Sequence, residues 1–115
     1  ITKYNVDTLN CNLVVEGANG PVTQEASAVL EEKKIDVIPD ILANSGGVLC
    51  SYYEYVQNKN NETWTKKEIV DKLYKKMNLV FKNVQNTSKK YNVSLKQAAY
   101  IEAFQNLYNK YNNDP

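Results

Sequence analysis

Histidine and arginine are absent from the 115 residues, and there are only two cysteines, three prolines and four glycines. Each scarcity removes a class of chemistry. Without histidine, no Ser–His or Cys–His nucleophile pair can be assembled. Cys11 and Cys50 lie far apart with no CxxC between them, and two thiols without imidazole partners fall short of a zinc site, so no metal is expected. They read instead as reduced core thiols of a protein kept in a reducing compartment. Every one of the 14 basic residues is lysine, which leaves no planar guanidinium fork for phosphate or carboxylate. Against 13 acidic residues the net charge is +1, too little for a field that would hold nucleic acid or an anionic membrane. No apolar run approaches the ~20 residues of a membrane span. The opening Ile1-Thr2-Lys3-Tyr4 lacks the layout of a secretory leader, so the expected location is cytoplasmic or organellar (mitochondrial or plastid), not secreted. There is no GxGxxG and no Gly-rich Lys-Ser/Thr loop, hence no pyrophosphate-binding turn of either kind. The basic residues being all lysine and the 16 asparagines are read as a composition bias of the parent genome, not as chemistry.

What is present is a strand–helix–strand pattern followed by helices. Cys11 to Glu16 is a short β-branched run suited to a buried parallel strand, ended by Gly17 to Pro21. Thr23 suits an N-cap, Ala26, Val29 and Leu30 form an apolar stripe, and Ile35 to Ile38 makes a second strand stopped by Pro39. This is a βαβ unit. Asn44-Ser45-Gly46-Gly47 is expected to form a turn before a helix through Val56. Thr65 with Glu68 predicts a capping box and a long helix faced by Ile69, Leu73, Met77, Val80, Phe81 and Val84. Asn86 to Asn92 is polar. Ser94 with Gln97 opens a last helix striped by Leu95, Ala98, Ile101, Phe104 and Tyr108, and the tail Asn109 to Pro115 is expected to fray. Two strands do not make a stable parallel sheet. The expected class is therefore α/β: a partial Rossmann-like doubly wound sheet followed by C-terminal helices, with the first strands of the sheet upstream. The expected division is 1–57 for the βαβ unit and its turns and 58–115 for the helical segment.

In open parallel sheets, ligands bind outside the carboxyl ends of the strands. Two turns fall there. Gly17-Ala18-Asn19-Gly20 offers close backbone approach and an amide that both donates and accepts, as a nicotinamide carboxamide or a ribose hydroxyl requires; the same residues also suit a plain tight turn. Asn44 to Ser51 brings Gly-Gly at a helix start, then Val48 and Ser51 one turn apart on one face. There a hydroxyl can meet a carboxylate while valine packs a methylene; the alternative is a Gly-rich cap with serine bonded back to its own helix. Tyr52-Tyr53-Glu54-Tyr55 reads as packing aromatics and the lysine pairs as solvated faces.

At these residues the chain resembles the glutamate dehydrogenase family: Val15-Glu16-Gly17-Ala18-Asn19-Gly20-Pro21, Pro39-Asp40 through Val48, Ser51-Tyr52-Tyr53-Glu54, and Asn92 through Tyr100 match its signatures in order. The resemblance implies the C-terminal part of an NAD- or NADP-binding domain. The implied reaction is oxidative deamination of L-glutamate to 2-oxoglutarate and ammonia, in a protein that is homohexameric when whole. It implies Gly17, Ala18, Asn19 and Asn44 as cofactor contacts, Ser51 on the substrate's side-chain carboxylate and Val48 on its methylenes. Relatives that use apolar amino acids carry an Asn-Asn type of turn and an apolar residue at the Ser51 position. The family's catalytic lysine and aspartate belong to a separate substrate domain, so no catalytic residue is expected here and the chain alone is expected to be inactive. Tyr55 departs from a common tryptophan, and the short stretch between Asn58 and Thr87 leaves no room for an antenna insertion. The alternative is a binding or interaction module that keeps the fold without the chemistry.

Overall fold

The computed structural model describes residues 1–113. After one 3-10 turn at Val6–Thr8, strand β1 (Leu13–Val15) leads through helix α1 (Gln24–Glu32) to strand β2 (Asp36–Ile38). Helices α2 (Asp40–Ala43), α3 (Ser45–Asn60), α4 (Lys66–Tyr91) and α5 (Leu95–Asn113) follow. The strands pair in parallel, Leu13 with Asp36, Val14 with Val37 and Val15 with Ile38. The chain is α/β, a βαβ unit followed by helices, as expected.

Local signals fix the helix starts. The Thr23 hydroxyl accepts from Ala26 N–H, and Thr65 and Glu68 form a reciprocal capping box. Ser94 and Gln97 exchange the same pair of bonds ahead of α5. Asn61 and Asn92 end α3 and α4 in the left-handed conformation that asparagine tolerates.

The sheet is covered unequally. On one face Val6, Val22, Ala26 and Leu30 form a buried cluster against which Val14 and Val37 pack. On the other face Leu42, Val84, Ala98 and Ala99 form a second cluster joined by Ile38. Helices therefore lie on both faces of β2, the arrangement of a doubly wound sheet. Over β1 the second face is bare: Leu13 is 49% and Val15 57% exposed. The expectation of a fully buried strand fails here for a physical reason, since α5 reaches β2 and none of the described residues covers the second face of β1.

Three further expectations change. Cys11 is exposed and Cys50 half-buried, so Cys11 is not a core thiol; it precedes β1, outside both clusters. Gly46 and Gly47 lie inside the first turn of α3 and not in a loop, because α2 and Asn44 supply a preceding helical turn onto which they add. The segment 109–113, expected to fray, is helical, helped by Asn112, whose side-chain amide donates to the Tyr108 carbonyl; the polar stretch 86–91 simply continues α4. The rest of the expected frayed tail, 114–115, lies outside the described residues.

Candidate functional site at the strand ends

Both strands end at one edge, and the two turns singled out above meet there. The Asn44 amide donates to the Asn19 side-chain oxygen at 2.7 Å. Whichever way the two amides are turned, this bond leaves one whole amide NH2, the second N–H of the other amide and one amide oxygen without a partner among the described residues. Gly17, Ala18, Asn19 and Gly20 are exposed, and a Cβ added at Gly17 would meet nothing within 4 Å. Gly20 is required for a second reason: its φ is +56°, where a side chain is strained.

Two residues to which the sequence reading gave no role fasten this edge. Glu16, at the end of β1, is 2% exposed, and its carboxylate accepts the Asp40 N–H at 2.8 Å. Asp40 in turn accepts the Gly20 N–H at 2.8 Å and its neighbour Ile41 N–H at 2.7 Å. The signal that could have found them is a carboxylate ending an apolar strand run and another directly after proline, both beside glycine turns. The Asp40 carboxyl is held below its ordinary 3.8, first by the Gly20 N–H, against a smaller burial penalty, with the Ile41 N–H and the Lys96 charge adding. A depressed folded-state pKa gives stability that is present above the unfolded value and lost as pH falls through the folded one. Acidification below about pH 3.8 is thus expected to loosen the Gly20 turn. Hydrogen exchange at Gly20 should accelerate in that range, and Asp40→Asn should remove the acid-dependent step.

Val48 and Ser51 follow on α3. Val48 is 71% exposed and lines an apolar cleft of about 280 Å³ between α3 and α4 with Leu49, Tyr52, Met77 and Val80. Ser51, exposed one turn further on, stands outside that lining. Its hydroxyl donates to the Gly47 carbonyl at 3.4 Å, the weak end of hydrogen bonding, and is easily redirected. A roomier cavity of about 400 Å³, between the start of β2 and the start of α5, contains none of the six predicted site residues. The strand-end edge, with its unused amide groups and bare glycine backbone, offers the better chemistry for a ligand. Tyr53 packs edge-on against Trp64, over which Lys72 sits, so this part of the Tyr-rich segment is packing, as expected.

Residues 1–114 match the model of the Glutamate/Leucine/Phenylalanine/Valine dehydrogenase family. The chain belongs to that family. It is 45% identical to the NAD-specific glutamate dehydrogenase of Peptoniphilus asaccharolyticus over 93% of its own length, and 42% identical to glutamate dehydrogenase B of Halobacterium salinarum over the same share. The crystal structure of the Peptoniphilus glutamate dehydrogenase, 45% identical, superposes on 92% of the chain with a TM-score of 0.88, and the match covers 27% of that structure. A leucine-bound hetero-hexameric glutamate dehydrogenase from Thermus thermophilus, 30% identical, superposes on 84% with a TM-score of 0.80 and 23% of its own length. This member of the dehydrogenase family thus spans about a quarter of the curated relatives it matches, 25% for the first two.

Proposed function

We propose that the chain is the nicotinamide-side wall of an NAD-dependent glutamate dehydrogenase, which carries L-glutamate to 2-oxoglutarate and ammonia. The observation that carries this reading is the Asn19–Asn44 bond at the carboxyl ends of both strands, with Val48 and Ser51 following on the same run of helix. The free N–H and oxygen of the two amides fit a carboxamide or a ribose hydroxyl, and the open backbone at Gly17 and Ala18 lets a flat ring approach. When bound, the nicotinamide supplies the hydride acceptor; this chain's residues hold and orient it. Ser51 donates to the substrate's distal carboxylate and Val48 packs its methylenes, which selects glutamate within a family whose members also take leucine, phenylalanine and valine. NAD is preferred to NADP because the relatives at 45% and at 40% identity bear the name NAD-specific.

The family assigns the catalytic lysine and aspartate to a separate substrate domain, so hydride transfer needs that second wall and the chain alone turns over no glutamate. The division into residues 1–57, which carry the ligand edge, and 58–115, which buttress it, follows from the same reading. We further place the whole protein in the cytoplasm or an organelle as a homo-oligomer, with six subunits, the number in the hetero-hexameric Thermus enzyme. Its free thiols support a reducing compartment.

The experiment is amino-acid-dependent reduction of NAD and NADP by the full-length protein. Glutamate with NAD should be turned over, and leucine and phenylalanine should not. A folded protein that reduces neither cofactor with any amino acid would instead be a module that keeps the fold without the chemistry.

A further inference from the structure

We propose that Glu16 is a positioning residue for the cofactor edge. Its buried carboxylate, balanced by Lys96, docks the start of α2 on the end of β1 and so brings Asn44 to Asn19. The inference rests on the reading of these two asparagines as cofactor contacts.

Helix α2 has four residues, and its N-cap Pro39 offers no side-chain cap. The first N–H groups of a helix have no partner within it, and proline has no side-chain acceptor to offer them. An outside group must take its first N–H, and Glu16 does so from 24 residues back in the chain. Asp40, gripped through its N–H, then takes the Gly20 N–H, and one turn further Asn44 reaches Asn19. Three bonds of 2.7–2.8 Å thus join two turns distant in sequence, and the first of them is Glu16's.

The second Glu16 oxygen makes the residue more than a cap. It is buried and has no hydrogen-bond partner among the described residues; the ammonium of Lys96 stands 3.7 Å away. A charge placed so deep is costly unless compensated. Lys96 belongs to the first turn of α5, and Ala98 and Ala99 of that helix pack in the cluster that Ile38 joins. The position of α5 and the geometry of the cofactor edge are therefore linked through one ion pair.

The test compares Glu16→Gln, Lys96→Met and the double variant with wild type, all as full-length protein. It reads the NAD Kd by titration, the glutamate KM and kcat, and hydrogen exchange by segment. Glu16→Gln keeps an acceptor for the Asp40 N–H but loses the charge that strengthens the bond; it should weaken NAD about three- to tenfold, change the glutamate KM much less, and speed exchange in 17–20 and 39–44 while leaving α1 as it was. Lys96 is partly exposed, so its variant keeps the fold and should show a milder form of the same pattern. The double variant should weaken NAD by less than the product of the two, since an uncharged glutamine needs no counter-charge. An unchanged NAD Kd in Glu16→Gln overturns the proposal. So does a loss spread equally over NAD, glutamate and the exchange of α1, which is the pattern of mere unfolding. Wild-type protein that binds no NAD defeats the cofactor reading instead; exchange in 17–20 and 39–44 then decides by itself whether Glu16 joins the two turns.

Discussion

Replacing Ser51 by valine in the full-length protein should lower kcat/KM for glutamate by about ten- to a hundredfold and leave the NAD Kd within about twofold. Valine keeps the branching and nearly the size of the side chain but removes the donor. A carboxylate desolvated against α3 without that donor loses about 1.5–3 kcal/mol. The hydroxyl is available for the task, because among the described residues it makes only the 3.4 Å bond to the Gly47 carbonyl. The apolar neighbourhood built by Val48 and the cleft beside it stays, so activity with leucine should rise relative to glutamate. Steady-state kinetics with both amino acids check this, and unchanged glutamate efficiency would refute the role given to Ser51.

The second large effect is on stability. Leu30 is completely buried, between α1 and the strands, in the cluster with Val6, Val22 and Ala26. Leu30→Ala removes its methyl groups and leaves a space that Val14, Val29 and Val37 cannot fill without moving the sheet. The expected loss is about 2–5 kcal/mol. Hydrogen exchange of α1 and β1 amides in the full-length protein should quicken accordingly. Leu107→Ala is the control: that leucine is 65% exposed on α5, and its loss should change stability by less than about 0.5 kcal/mol. Equal effects at the two sites would mean that the cluster under α1 is not the core of this segment.

The sequence made legible what is local. The caps at Thr23, Thr65 and Ser94 and the stripe of α4 are each decided within a few residues, and all are found as read. The two turns at the strand ends were also legible, because glycine and asparagine declare themselves there. Long-range bonds were not. Glu16 to Asp40 spans 24 residues and Asp40 to Gly20 spans 20, and no periodicity encodes such a pair. Gly46 and Gly47 looked like a break because glycine is a poor helix former, yet a preceding turn of helix outweighs that preference. Leu13 and Val15 show the limit from the other side. Their β-branched neighbourhood is written for a buried strand, and none of the described residues buries them.

Asn44 is the N-cap of α3, and Val48 and Ser51 lie within that helix. Asn44, Val48 and Ser51 therefore sit on one stiff rod, and at about 1.5 Å per residue the first and last are about 10 Å apart. On the proposed reading the rod is a gauge. One end touches the ring that receives the hydride, the other the far carboxylate of the amino acid, and the interval between them cannot shrink. Aspartate, shorter by one methylene, carries the same charge but cannot span the interval with its reacting carbon in place. Molecular length, not acidity alone, then decides which acidic amino acid is oxidised.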